Sequence, residues 1–284
     1  YYLFMNHLIT ITKADGKKEL FEEQKLIDSL RNAGGSEEII DDILGHIGKE
    51  IYDGMPTSEI YSRAFKLLRS HSMPMAIKYS LRRALSDLGP DGFPFEKYVA
   101  KIFQAWGYET LTDQTVLGVC VAHEVDVVAW NKDRLMMVEA KFHNELDLKS
   151  DLKVILYIKA RFDDLRGNMF KYGGIVRKLD EGWLITNTKF TDQAIRYGEC
   201  NGVKMLGWNY PAKGNLQDII EELRLHPFTC LTNISNVNKK ALLKKGVVLC
   251  TDIYNNPKVL EEIGMKEPNI EEVMNEIKVV CGIN

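Results

Sequence analysis

The chain has 284 residues, 45% of them hydrophobic and 27% charged, with a formal net charge of −3 at pH 7. That balance fits a folded globular protein of two or three domains, and no apolar run approaches the roughly 20 residues of a membrane span. It excludes a protein that holds polyanions through a global basic field, so any phosphate contacts must be local.

In chain order, Met5 reads as a start, with Tyr1–Phe4 an upstream remnant and no signal peptide. Residues 9–21 alternate around Asp15-Gly16, the pattern of a β-hairpin. Helical spacing follows over Glu23–Ala33, Ser36–Ile51, Thr57–Arg69 and about Met73–Asp87. Ser36 before Glu37-Glu38, and Thr57 before Glu59, mark helix starts. This hairpin plus helical bundle resembles the ATP-cone, the nucleotide-sensing module of ribonucleotide reductases and some transcriptional repressors. The matching residues are Lys13-Ala14-Asp15-Gly16, Glu19, Lys25, and Tyr52-Asp53-Gly54 with Thr57. The resemblance implies a domain over residues 5–88 that binds an adenine nucleotide, ATP or dATP, as a regulatory ligand. It places Lys13 and Lys25 at the phosphates, with Glu19 and Thr57 nearby. Ala14 stands where that family has an arginine, which removes one implied phosphate contact; Lys17 and Lys18 are the neighbouring cations. The alternative is a cone that keeps its fold and binds nothing. No G-x-x-x-x-G-K-[ST] pattern occurs, so a bound nucleotide would be a ligand and not a fuel.

Residues 123–130 and 136–141 read as two adjacent apolar strands joined by the polar turn Asn131-Lys132-Asp133-Arg134. Apolar flanks on both sides of the charges (Val125, Val127, Val128; Met136, Met137, Val138) predict a sheet covered on both faces. Side chains alternate along a strand, so Glu139 and Lys141 share one face and Ala140 points away. With Asp126 on that face, two hard carboxylates suit Mg²⁺ or Mn²⁺, and the ammonium suits an attacking water and developing charge. The alternative is a solvated hairpin with a charged face. Asp126 with Glu139-Ala140-Lys141 resembles the PD-(D/E)xK nuclease signature, Val125 replacing the literal proline. Residues 92–100, followed by Phe103, Trp106, Gly107 and Tyr108, resemble the opening helix of Mrr-type (type IV-like) restriction endonuclease domains. Residues 183–191 with Ala194, and residues 202–208, resemble the later core of the same domains. The resemblance implies an α/β (α+β) nuclease domain over residues 89–225, with a central mixed sheet flanked by helices. It implies DNA as partner, Asp126 and Glu139 as metal ligands, Lys141 as a catalytic residue and Glu96 facing the metals. Glu124, two residues before Asp126, is either a further ligand or a surface acid. Glu96 is equally explained as a helix-dipole acid.

Residues 151–161 are apolar enough for a buried strand or helix, and their length favours helix; Arg161 either reaches phosphate or, the simpler expectation, pairs with Asp163 or Asp164. Residues 167–174 read as a flexible turn, a lid or a connection. The tail, 226–284, reads as a small helical region broken by Pro257 and Pro268. Leu242 and Gly246 resemble half of a helix-hairpin-helix unit; packing or dimerisation is the alternative. Five cysteines without a C-x-x-C pair imply neither zinc nor a disulfide framework, but a reducing cytoplasm, with Cys120 or Cys250 as a small core residue. Together these readings predict a metal-dependent DNA endonuclease gated by nucleotide, acting as a homo-oligomer. The alternatives are an ATP-responsive DNA-binding regulator with an inactive nuclease fold, or a structure-specific repair nuclease.

Overall fold

The computed structural model describes residues 9–13 and 16–283; Tyr1–Phe4, Met5, Ala14 and Asp15 lie outside them. The chain divides into two compact units between Leu81 and Arg82.

In the first unit, β1 (Thr10–Thr12) and β2 (Lys18–Leu20) pair antiparallel, with Ile11 opposite Glu19. Gly16 closes the hairpin at φ +81°, a conformation that costs glycine little. α1 (Glu23–Asn32) and α2 (Glu37–Glu50) follow. Ser36 caps α2 by accepting the N–H of Ile39. β3 (Met55–Pro56) then lies parallel to β1, a third strand absent from the sequence reading. Asp53 ties this turn to the hairpin by accepting the N–H and the hydroxyl of Thr10 at 2.9 and 2.6 Å. Thr57 opens α3 (Thr57–His71), with Pro56 at the N-cap, and α4 (Met73–Ser86) follows, its last residues from Arg82 on counting with the second unit. Ile40, Ile43, Leu44 and Ile47 recur at helical spacing and bury against Leu26, Leu30, Met55 and Leu68.

After the end of α4 the second unit continues with α5 (Phe93–Ala105), then β4 (Glu109–Leu117), β5 (Ala122–Trp130) and β6 (Leu135–Lys141). β7 (Lys149–Ser150) and α6 (Leu152–Arg166) follow, Asp151 capping the helix. β8 (Phe170–Tyr172) and β9 (Ile175–Arg177) form a short hairpin, so the segment read as a flexible turn carries ordered strand. β10 (Glu181–Thr186), β11 (Lys189–Phe190), α7 (Asp192–Cys200) and β12 (Lys204–Leu206) complete the core. The mixed sheet runs β12-β10-β6-β5-β4: β4, β5 and β6 are antiparallel, while β6, β10 and β12 are parallel. α5 covers β4, β5 and β6; α6 lies against β10 and α7. Val125, Val127, Val128, Met136, Met137 and Val138 are all buried, as their runs predict. Gly182 of β10 admits the Phe162 ring of α6, since a Cβ there would stand 2.2 Å from it.

The same unit continues through α8 (Leu216–Glu222), α9 (Asn236–Lys244), α10 (Cys250–Asn255), α11 (Lys258–Glu262) and α12 (Asn269–Cys281). Pro257 and Pro268 precede the last two helices. Glu276, buried on α12, accepts from Thr232 N–H and Oγ1 and from Asn233 N–H. The Tyr98 hydroxyl donates to the Leu225 carbonyl and Lys101 pairs with Asp252, which fastens α5 to this tail. All five cysteines are free. Cys250 is buried in a helix, whereas Cys120 is exposed in the β4–β5 turn and is not a core residue. Cys230 and Cys250 approach to 3.9 Å between sulfurs. Among the described residues no helix is long and apolar enough to cross a membrane.

Candidate active site

The site begins where two strands part. The β5–β6 ladder ends at Val127 opposite Val138, while β5 stays paired with β4 as far as Ala122. Past that point the Ala140 N–H lacks a β5 backbone partner, and the Asp126 carboxylate takes its place, accepting at 2.6 Å. Glu139 and Asp126 therefore stand across the opening, at the C-terminal end of β6. The cavity there has a volume of ≈ 190 Å³ and is lined by Ala122, His123, Glu124, Asp126, Glu139, Tyr157 and Arg161.

Arg161 reaches this cavity from α6. Its Nη1 donates to Glu139 Oε2 at 2.6 Å, and the two side chains are only 12% and 20% exposed. The expected pairing with Asp163 or Asp164 is not what forms. Lys159 takes Asp163, and Asp164 accepts from His123 and from the Cys120 and Val121 N–H groups. The reason is register: Ile155, Ile158, Phe162 and Leu165 bury one stripe of α6, and Arg161 borders that stripe between Ile158 and Leu165, so its side chain is held against Glu139. The guanidinium also lies over the Tyr157 ring, one turn earlier, at 5.4 Å.

Burial and mutual repulsion raise the acids. Burial pushes Glu139 up to about 7, with Asp126 adding to the rise and Arg161 and Lys141 opposing it. Asp126 is raised by burial, against the Ala140 N–H and Arg161. Glu96, on the first turn of α5, is pushed up to about 7 by burial and then by the charges of Asp126, Asp113, Glu124 and Glu139. Glu96 thus lies within the field of the Asp126, Glu124 and Glu139 carboxylates. Lys141 is exposed at the strand end. Behind it, His143 is clamped: its N–H donates to Asn187 Oδ1, and Asn187 Nδ2 donates to its carbonyl, both at 2.8 Å. The His143 ring meets Ser150 Oγ.

A hard divalent cation suits this donor set, because desolvated carboxylates that raise one another lack positive charge. The carboxylates are not drawn into one coordination shell. Among the described residues no three His, Cys, Asp or Glu are grouped as a metal site, and Glu139 is turned to Arg161.

In the first unit, Lys13 pairs with Glu19 at 2.9 Å, which brings two of the nucleotide-site candidates together. Lys25 pairs instead with Glu22, and Thr57 sits behind β3 at the start of α3. Sequence reasoning offered Arg161 as a phosphate contact, second to an ion pair with Asp163 or Asp164, and missed Tyr157; the signal joining the two is the four-residue spacing that puts both on one helix face.

Residues 9–88 match the ATP cone domain model, residues 90–208 the restriction endonuclease model and residues 226–281 the AF1548-like C-terminal model. A protein of Archaeoglobus fulgidus, described only as uncharacterized, is 35% identical over 185 residues, which are 65% of this chain and 100% of that protein. The crystal structure titled as a protein of unknown function, AF1548, is similar with a TM-score of 0.55 and 34% identity. The similarity covers 68% of this chain and 100% of that one.

Proposed function

This chain belongs to the AF1548-like family and carries an ATP cone domain followed by a restriction endonuclease domain, and from that premise we propose that it is a metal-dependent DNA endonuclease regulated by adenine nucleotide. The observation that carries the reading is the shared cavity of Asp126, Glu139 and Glu124, with Glu96 and Lys141 close enough to act on it electrostatically. Asp126 and Glu139 would hold Mg²⁺ or Mn²⁺, with Glu124 as a further donor. Such an ion supplies Lewis acidity and a more acidic water when bound. Lys141 orients the attacking water and stabilises charge at the phosphate. Glu96, titrating near neutrality, holds or accepts a proton. The water oxygen bonds to phosphorus, one P–O ester bond breaks, and the departing oxygen takes up a proton. A phosphate monoester and an alcohol result.

The cone binds ATP or dATP without hydrolysing it, through Lys13 and Lys25, with Glu19 and Thr57 nearby. The two sites lie in separate units, so the effect on cleavage passes through a change of state, a homo-oligomer being the proposed route. Five free thiols fit the proposed cytoplasmic setting. The domain limits proposed are 5–88, 89–225 and 226–284. The test is supercoiled plasmid incubated with Mg²⁺ or Mn²⁺, with and without ATP and dATP. Metal-dependent nicking or linearisation whose rate changes with nucleotide is expected; intact plasmid under every combination overturns the reading.

A further inference from the structure

Four carboxylates act on one another at this site (Glu96, Glu124, Asp126 and Glu139), and two cations answer them, Lys141 and Arg161. Lys141 is at the exposed strand end; Arg161 is inside the cavity wall. A guanidinium offers five N–H donors in a planar fork, the shape that matches paired phosphate oxygens. Here one donor is directed at Glu139 and the group lies over the Tyr157 ring at 5.4 Å. The fork stands beside Asp126 and Glu124 at the edge of the space a phosphodiester must enter. An ion pair kept only for stability gains little from such a position, since desolvating both partners costs several kcal/mol.

We infer that Arg161 is a catalytic residue of the hydrolysis proposed above, clamping the non-bridging oxygens of the scissile phosphate and resting on Glu139 only until a divalent cation takes that carboxylate. The inference rests on the nuclease reading. In the metal-free protein Arg161 supplies the positive charge that Glu139 needs. A cation on Asp126 and Glu139 removes that need and frees the fork for substrate. Arg161 therefore competes with the metal for one carboxylate yet serves the same reaction, so its removal moves metal affinity and cleavage in opposite directions.

The experiment uses the full chain as wild type, Arg161→Ala and Arg161→Lys, with folding checked by thermal melts. Mn²⁺ affinity is measured by calorimetry without DNA, and single-turnover plasmid cleavage at saturating Mn²⁺. In Arg161→Ala we expect Mn²⁺ to bind several-fold tighter while cleavage falls about 100-fold, the scale of losing one preorganised donor. Arg161→Lys keeps the charge without the fork and recovers only part of the rate. Methylguanidinium in solution raises cleavage by Arg161→Ala and leaves the wild type unchanged. Tighter metal binding with faster cleavage would make Arg161 a plug, and weaker binding with slower cleavage a mere support for Glu139; either overturns the inference. Cleavage by Arg161→Ala at the wild-type rate overturns it alone. A wild type that binds Mn²⁺ and cleaves nothing overturns the nuclease reading beneath it.

Discussion

Asp126 Oδ2 accepts the backbone N–H of Ala140 at 2.6 Å, which fastens the first acid to the residue between Glu139 and Lys141. The carboxylate thus does two things, completing a parted ladder and facing the cavity. Substitution separates them. Asp126→Asn keeps an acceptor for Ala140 and removes the charge, so it should fold like the wild type and bind Mn²⁺ at least about tenfold more weakly. Asp126→Ala should lose the same affinity and a further ~1–3 kcal/mol of stability, from the orphaned N–H. Calorimetric titration and thermal melts of the two variants check this; wild-type Mn²⁺ affinity in Asp126→Asn would remove Asp126 from the metal set.

The Asn187 clamp fixes the chain just beyond Lys141. Asn187 is fully buried and both of its amide atoms are spent on the His143 backbone. Asn187→Ala leaves the half-buried N–H and carbonyl of His143 without these partners, so a loss of about 1–3 kcal/mol is expected in urea unfolding. Cleavage by the folded fraction should fall as well, because the lysine loses its anchor. Unchanged stability would show that the reciprocal pair contributes nothing.

Glu96 and Glu139 both reach about 7 in the folded protein, against ordinary glutamate values near 4.5. A raised carboxylate favours the folded state fully below its unfolded value, and that contribution is lost as pH rises through the folded value. The metal-free protein should therefore lose ~1–3 kcal/mol, a few degrees of Tm, between about pH 4.5 and pH 7. Mg²⁺ binds the ionised form, so it should restore stability at the upper end of this window. Glu96→Gln should flatten the metal-free profile. Melts across pH with and without Mg²⁺ decide it, and a profile that rises from pH 5 to 7.5 in the absence of metal contradicts the burial argument.

For the cone, calorimetry with ATP, dATP and ADP should show binding with no released phosphate. Lys13→Ala and Lys25→Ala should each weaken it about tenfold, the loss of one charge-assisted contact. Lys13 must exchange its Glu19 partner for phosphate, so Glu19→Gln should tighten binding. No heat at millimolar nucleotide would leave the cone a structural module.

What was legible in the sequence is what periodicity encodes. Ile40, Ile43, Leu44 and Ile47 announce their helix, and the valine and methionine runs around Asp126 and Glu139 announce buried strands. Met55–Pro56 is too short to show a period and contains a proline, so its pairing with β1 was invisible. The β8–β9 hairpin hides in a segment whose Gly173 and Gly174 read only as a turn. Arg161 was misassigned for a different reason. Its nearest acids in sequence are Asp163 and Asp164, but its partner is 22 residues away on a strand, and helix spacing alone does not say which strand a face meets.

The most direct test of the central claim is single-turnover plasmid cleavage by Lys141→Ala, with Mn²⁺ and DNA binding measured on the same preparation. Lys141 is exposed, so its removal should leave the fold intact and both affinities near wild type, while cleavage is abolished. Wild-type cleavage by a folded Lys141→Ala protein would contradict the assignment of this cavity as a nuclease site.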